Sequence, residues 1–273
     1  MLSVYNRAET RQPGWVESME DGFTIKQRTN ECCRCCCCQP NIDWVVGKYN
    51  RDVSPHEEPE ALLYIEEDAP YLGRCCSYCI PGGRPTTYYV HRGSTKDDPV
   101  VLKHQKEWTC GQNMLVGISD NGPVRCPCCC FLPYLDTIDP ETNTKLGTSR
   151  YLCDLCLFIP KFGIYDAHGN PQYLLRPNTC CCGCCIRCKC CEKGARCCQV
   201  PYYFRDYHTK ENVEPDDDEV SVRDLWAGIA SEACTRKNLY TVKYPSSCKD
   251  AATKAVVQGA VLLLEMTMVE QNS

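Results

Sequence analysis

The last segment of the chain places the strongest constraint on its fold. From Ala251 to Val269 the sequence reads AATKAVVQGAVLLLEMTMV, which is apolar on nearly every face of a helix. Ser247 and Asp250 fit the S-x-x-D capping pattern, so the sequence predicts a helix over about 247–269. A helix with so little polar surface has to be enclosed, either by the rest of the protein or by lipid.

The charges of this segment favour enclosure by protein. Only ten residues separate Lys254 from Glu265, whereas a bilayer span needs about 20 apolar residues. The alternative is a span in which Lys254 reaches the membrane interface and Glu265 is neutral or paired. The positions expected to fill a protein core are Val256, Val257, Ala260, Val261, Leu263 and Leu264.

The middle of the chain has the pattern of an all-β fold. Between Phe23 and about Pro201, short runs of Val, Ile, Leu and Tyr alternate with turn residues, which predicts successive antiparallel hairpins. Gly, Asn, Asp and Pro supply the backbone angles of the reversals. Three examples are NMLVGISDNGPVRC, YLDTIDPETNTKLG and FGIYDAHGNPQYLL. Residues 1–22 are polar and are expected to form a mobile arm.

Cysteine is unusually abundant, with 28 residues in 273. The segment MLSVYNRAETRQPGWVESMEDG lacks the pattern of a secretory signal, so we expect a reducing compartment. Clusters such as ECCRCCCCQP and CCCGCCIRCKCCEKGARCC place neighbouring thiols too close for a regular disulfide framework. Reduced thiols in such clusters typically bind metal or carry lipid.

Thioester-linked palmitate is the leading interpretation of the clusters. One cluster lies beside Phe131, Leu132 and Tyr134, where acyl chains and an apolar segment can enter a leaflet together. Two or more chains give stable attachment, whereas one gives weak attachment. The candidate acylation sites are Cys126, Cys128, Cys129 and Cys130, together with Cys180, Cys181, Cys182, Cys184 and Cys185.

Metal binding is the rival interpretation. Two C-x-x-C pairs have the spacing of tetrahedral zinc ligands: these are Cys76 with Cys79 and Cys153 with Cys156. The acidic run EPDDDE offers oxygen ligands for a hard cation from Asp216, Asp217, Asp218 and Glu219, although a solvated loop is the simpler explanation. The isolated Cys110, Cys234 and Cys248 are expected to be small core residues.

Two classes of function are disfavoured. The formal net charge of -5 gives no field that would hold nucleic acid. The five histidines show no nucleophile signature, and neither a glycine-rich phosphate loop nor a pair of catalytic carboxylates stands out. We therefore expect neither a nucleic-acid partner nor an enzyme that works by covalent catalysis.

Five pieces of the sequence, in order, resemble the phospholipid scramblase family over about residues 22–270. The first is LLYIEEDAPYLGRCCSYCIPGGRPTTYYV, which carries Glu67, Asp68 and Arg84. The second is RCPCCCFLPYL, and the third is LFIPKFGIYDAHGNPQYLL. The fourth is the pair DLWAGIASEACT and LYTVKYP, and the fifth is KAVVQGAVLLLEMTMVE.

The resemblance implies a mainly-β, tubby-like fold, in which a closed antiparallel barrel surrounds the C-terminal helix as one domain over 23–273. It implies energy-independent, bidirectional movement of phospholipids between leaflets, by a protein associated with the cytoplasmic face of the plasma membrane or an endomembrane. The implied partners are membrane phospholipids, acyl chains on cysteine, and other proteins or further copies of the chain. The alternatives are a lipid-anchored scaffold without transport and a soluble zinc-stabilised module.

Calcium is the trigger that the family resemblance implies, bound by an acidic loop before the terminal helix. Here that loop reads TRKNLYTVKYPSS. Arg236 and Ser247 stand where ligand carboxylates are expected, which leaves Asn238 as the matching oxygen ligand. Because Arg236 and Lys237 repel a cation, the sequence makes a calcium site at this loop doubtful.

Overall fold

The computed structural model describes residues 19–28, 41–54, 56–70, 83–109, 113–119, 122–127, 132–152, 159–180, 185–186, 201–213, 221–224 and 238–268. In this part of the chain sixteen strands precede one helix. The strands are β1 (Gly22–Arg28), β2 (Asp43–Lys48), β3 (Leu63–Asp68), β4 (Thr86–Arg92), β5 (Val100–Lys106), β6 (Asn113–Ser119), β7 (Gly122–Pro127), β8 (Tyr134–Asp139), β9 (Thr144–Tyr151), β10 (Phe162–Asp166), β11 (Pro171–Pro177), β12 (Thr179–Cys180), β13 (Cys185–Ile186), β14 (Tyr202–Asp206), β15 (Val222–Asp224) and β16 (Leu239–Lys243). The helix is α1 (Ala251–Met268).

Twelve of these strands form a closed barrel. Their order is β1-β16-β15-β14-β11-β10-β9-β8-β5-β4-β3-β2, and β2 pairs with β1 to close the wall. Every neighbouring pair in the wall is antiparallel. The two remaining strand pairs, β6–β7 and β12–β13, are separate hairpins outside the wall. The predicted mainly-β fold with a closed antiparallel barrel is confirmed.

The three hairpins expected from turn chemistry are present. They are β6–β7, β8–β9 and β10–β11, each paired antiparallel across the predicted reversal. In the β8–β9 turn Asn143 adopts a φ of 52°, a left-handed conformation that asparagine tolerates better than most residues. Local turn signals therefore fixed the position of these strand pairs.

Helix α1 lies inside the barrel, against β8, β9 and β10. All six predicted core positions are buried and belong to one hydrophobic cluster with the inward side chains of the strands. A twelve-stranded barrel has a lumen wide enough to accommodate a helix, and the helix supplies the apolar contacts that the inner faces of the strands require. The expectation that protein encloses this segment is confirmed.

The predicted start of the helix is wrong by about four residues. Asp250, rather than Ser247, is the N-cap: its Oδ2 accepts a hydrogen bond from the backbone N–H of Thr253 at 2.9 Å. The Ser247 hydroxyl instead lies 2.8 Å from the hydroxyl of Tyr173 on β11. A contact with a residue distant in sequence thus replaces the expected local cap.

Two glycines allow the helix to approach the wall closely. A Cβ at Gly147 of β9 would lie 2.6 Å from Val256, and one at Gly259 of α1 would lie 3.0 Å from the imidazole of His104.

Before β1, Met19 is buried and contributes to the same core. The packed part of the chain therefore begins before the boundary drawn at residue 23.

Candidate functional site

The connections between strands divide the barrel into two distinct ends. Because neighbouring strands are antiparallel, β1, β3, β5, β9, β11 and β15 all finish at the same end. The connections that leave and return there are 29–42, 69–85, 107–133, 152–161, 178–201 and 225–238. These six segments contain 27 of the 28 cysteines. We call this the cysteine end.

The opposite end contains the remaining connections and one cysteine, Cys248. Cys248 follows β16 and is buried, as expected for an isolated core residue. Burial raises the pKa of its thiol to about 12, against a smaller opposing effect of Lys254. This thiol is therefore protonated and shielded at neutral pH. The other two isolated cysteines, Cys110 and Cys234, lie outside the described residues.

Three of the predicted acylation sites fall on described strands. Cys126 lies on β7 opposite Met114, and Cys180 of β12 lies directly opposite Cys185 of β13. Both hairpins belong to connections at the cysteine end. At these three positions the cysteine therefore lies on a short strand of a hairpin. The predicted sites that lie outside the described residues are Cys128, Cys129, Cys130, Cys181, Cys182 and Cys184.

A buried ion pair lies beneath the cysteine end. Arg84, just before β4, donates from Nη2 to Oε1 of Glu67 on β3 at 2.6 Å, and both side chains are almost fully buried. The backbone N–H of Ile42 donates to the other carboxylate oxygen at 2.8 Å. Lys106, also buried, donates to the carbonyl oxygens of Arg84 and Glu107. These bonds hold the described ends of three connections, at Ile42, Arg84 and Glu107, next to one another.

The last turns of α1 also reach the cysteine end. Asn238 donates from Nδ2 to Oε1 of Glu265 at 2.7 Å, and the hydroxyl of Tyr240 donates to Oε2 of the same carboxylate. Asn238, the one oxygen ligand that the family resemblance would retain for calcium, thus makes an internal bond that joins the residue before β16 to the helix. This bond explains how the only carboxylate between residues 251 and 268 is accommodated inside the barrel.

The zinc candidates Cys76, Cys79, Cys153 and Cys156 lie outside the described residues, and so do Asp216, Asp217, Asp218 and Glu219. Within the described ranges, no group of three or more His, Cys, Asp and Glu side chains is arranged to hold a metal ion.

The interior of the barrel contains one histidine beside the helix. His104 of β5 is fully buried, and its ring nitrogens lie 3.1 Å from the Thr137 hydroxyl and 3.4 Å from Oε1 of Gln258. Burial lowers its pKa to about 4, although the bond to Gln258 opposes the shift. A neutral ring protonated on Nε2 satisfies both neighbours, since it accepts from Thr137 and donates to Gln258.

Sequence reasoning did not identify Trp108, which follows β5 at the cysteine end. Its side chain is 60% exposed and is the only exposed large hydrophobic residue among those described. A tryptophan in a chain with a sizeable core is ordinarily expected inside. No pattern around Trp108 in the sequence distinguishes it from a core residue.

Among the described residues, no helix combines the length and apolar character needed to cross a bilayer. Comparison of the chain with protein-family models, with curated proteins and with solved structures gives no match.

Proposed function

We propose that this protein is a lipid-anchored, phospholipid scramblase-like protein of the cytoplasmic membrane face. The observation that supports the proposal best is the shared position of the cysteine-rich connections at one end of the barrel. Acyl chains on any two of these connections would attach the same end of the molecule to a membrane. Two chains give stable anchoring, whereas one chain gives only marginal attachment.

The enclosure of α1 limits the mechanism of lipid movement. A phospholipid headgroup needs a polar path or a thinned bilayer to cross between leaflets. A helix packed inside the barrel supplies no path through the membrane. Scrambling would therefore take place where the anchored cysteine end disturbs the bilayer, with several acyl chains and apolar segments inserted within a small area.

Acylation can be tested with a matched pair of variants. In one, Cys126, Cys128, Cys129 and Cys130 are replaced by Ser, and in the other only Cys248 is replaced. Acyl exchange after hydroxylamine treatment should show several modified thiols in the unchanged chain and fewer in the first variant, together with a smaller membrane-bound fraction. Cys248→Ser should change neither quantity, because that thiol is buried at the other end. Absence of hydroxylamine-sensitive acyl groups from the unchanged chain would contradict the anchor.

Transport needs a separate experiment. The acylated protein is reconstituted into liposomes that contain a fluorescent phospholipid, and a membrane-impermeant quencher is added outside. Scrambling predicts loss of nearly all of the fluorescence, because inner-leaflet lipid becomes accessible. Quenching that stops at the outer leaflet, in liposomes shown to carry the protein, would exclude scrambling by the isolated protein.

A second candidate function is a lipid-anchored scaffold without transport. It is favoured by the burial of α1, since a barrel closed around its own helix has a complete core without any membrane contribution. The two functions predict the same acylation and differ only in the liposome experiment.

A further inference from the structure

Two cysteines lie directly opposite each other in the hairpin that β12 and β13 form outside the barrel wall. Cys180 of β12 pairs with Cys185 of β13, beside the pair of Thr179 with Ile186. Directly opposite residues of an antiparallel pair have Cα atoms about 4.5 or 5.5 Å apart. A disulfide needs about 4.4–6.8 Å between these atoms. The backbone register therefore places this cysteine pair within the range in which a disulfide can form.

The register distinguishes this pair from the other thiols of the segment CCCGCC. Cysteines that are neighbours along the chain rarely have the geometry that a disulfide needs. Positions 180 and 185 are instead brought together by a reversal of the chain, and opposite positions share one face of a hairpin. Cys181, Cys182 and Cys184 lie outside the described residues. Of the thiol pairs in this segment, the described backbone thus supports the one between β12 and β13.

Two arginines of the barrel wall hold the residues that lead into the hairpin. Arg205 of β14 donates from Nη2 to the side-chain oxygen of Asn178. Arg176 of β11 donates from Nη2 to the hydroxyl of Thr179 at 3.4 Å. Asn178 and Thr179 immediately precede Cys180. A strand whose first residues are fixed to the wall keeps its cysteine close to the opposite one, which raises the effective concentration of the two thiols.

Arg176 also brings positive charge close to the pair. Among the residues that the structure describes, this guanidinium contacts no carboxylate, and its buried Nε has no hydrogen-bond partner. Burial lowers the pKa of Arg176, but the group remains charged at neutral pH. A nearby positive charge favours the thiolate of a cysteine, which is the form that attacks a disulfide. The contact with Thr179 places this charge beside the residue that precedes Cys180.

We propose that Cys180 and Cys185 form a reversible disulfide across the β12–β13 hairpin, with a small-molecule disulfide such as oxidised glutathione as the oxidant. One thiol loses its proton and attacks a sulfur atom of the oxidant, which releases one small thiolate and leaves a mixed disulfide. The second thiol loses its proton and attacks the protein sulfur of the mixed disulfide, which releases the other small thiolate. The protein loses two electrons, the oxidant gains them, and the two protons end on the released thiols.

The disulfide has a consequence for acylation. A sulfur atom in a disulfide cannot carry a thioester, so oxidation would withdraw two of the candidate acylation sites, Cys180 and Cys185. This consequence rests on the proposed function. Formation of the disulfide itself requires neither acylation nor a membrane.

The test uses the full chain without acyl groups, in an aligned variant that keeps Cys180 and Cys185 and replaces Cys181, Cys182 and Cys184 by Ser. The reduced protein is equilibrated in buffers with different ratios of oxidised to reduced glutathione, and free thiols are then alkylated. Mass spectrometry of the tryptic peptide 162–187 follows. This peptide then contains two cysteines, so the unalkylated form that lacks two hydrogens identifies the disulfide between them.

A variant with the cysteines out of register is the matched control. This shifted variant keeps Cys181 and Cys185 and replaces Cys180, Cys182 and Cys184 by Ser, so its thiols are closer along the chain but do not have the β12–β13 register. We expect the equilibrium constant for oxidation to be about tenfold larger for the aligned variant, which corresponds to about 30 mV in reduction potential. Concentrated urea should abolish the difference, because it removes the register.

The contribution of Arg176 is measured as a rate. In the aligned variant, Arg176→Gln should slow the reaction with oxidised glutathione about two- to threefold, because it removes a nearby positive charge. Arg176→Lys keeps the charge and should keep the rate. Equal rates in all three proteins would overturn the role of this charge.

The outcomes separate this inference from the proposed function. Equal oxidation of the aligned and shifted variants in buffer, or oxidation of the aligned variant that is as favourable in urea, would overturn the disulfide. Bonds from Cys180 or Cys185 mainly to other parts of the chain would overturn it as well. A protein with this disulfide and without hydroxylamine-sensitive acyl groups would retain the inference and lose the lipid anchor. Acylation without the disulfide would retain the anchor and refute the inference.

Discussion

Replacing Leu263 with Ala tests the enclosure of the C-terminal helix most directly. The Leu263 side chain is fully buried between the helix and the barrel wall. Leu-to-Ala substitutions in cores cost about 2–5 kcal/mol, and the cost is larger where the surroundings cannot close over the cavity. A wall whose strands are hydrogen-bonded to neighbours on both sides has little freedom to collapse, so we expect about 3–5 kcal/mol. For a domain of this size that lowers the melting temperature on the order of 10 °C.

The measurement is denaturant unfolding of unacylated protein in buffer without detergent or lipid. Leu152→Ala is the control, because Leu152 is partly exposed beyond the end of β9 and removal of its side chain leaves a smaller cavity. The reasoning is refuted if Leu263→Ala destabilises the protein no more than Leu152→Ala does. That result would mean that this segment does not pack inside the barrel in solution and would reopen the possibility of a membrane span.

Three further predictions concern buried polar groups. Arg84→Met should lower the free energy of unfolding by about 3–5 kcal/mol, because it leaves the Glu67 carboxylate buried without its ion pair; adding Glu67→Gln should recover most of the loss in denaturant titrations. The pKa of His104 is about 4 in the folded protein, below the value of about 6.5 for an unperturbed histidine, so protonation favours the unfolded chain. Stability should therefore fall by about 2 kcal/mol between pH 7 and pH 5, and urea titrations should show a flatter dependence for His104→Gln. Cys248 should resist iodoacetamide in the native protein and react after unfolding, as followed by peptide mass spectrometry; rapid native labelling would contradict its burial and raised pKa.

The parts of the fold that the sequence predicted depend on local chemistry or on total apolar surface. Turn residues between apolar runs located the β8–β9 and β10–β11 hairpins correctly, since a reversal is determined by a few consecutive backbone angles. The enclosure of α1 was predictable because a helix without a polar face has few stable environments. Neither inference required knowledge of which strands are neighbours.

The parts that the sequence did not predict depend on partners distant along the chain. Ser247 has the spacing of a cap, but Tyr173 lies 74 residues away in sequence and bonds its hydroxyl, while Asp250 caps the helix. Glu67 and Arg84 are 17 residues apart in sequence, so no local pattern predicted their buried ion pair. The exposure of Trp108 likewise becomes visible only when the barrel wall is complete.

The parity of the strands explains why the cysteine-rich connections begin and return at the same end of the barrel. In a barrel with antiparallel neighbours, successive connections alternate between the two ends, so clusters separated by an even number of strands share an end. The hairpins β6–β7 and β12–β13 each add two strands without entering the wall, and they leave this parity unchanged. If the cysteines are acylated as proposed, acyl chains on any of the six connections would attach the protein from the same end. Because Cys248, the exception, is buried, its thiol would not offer the opposite end a competing anchor.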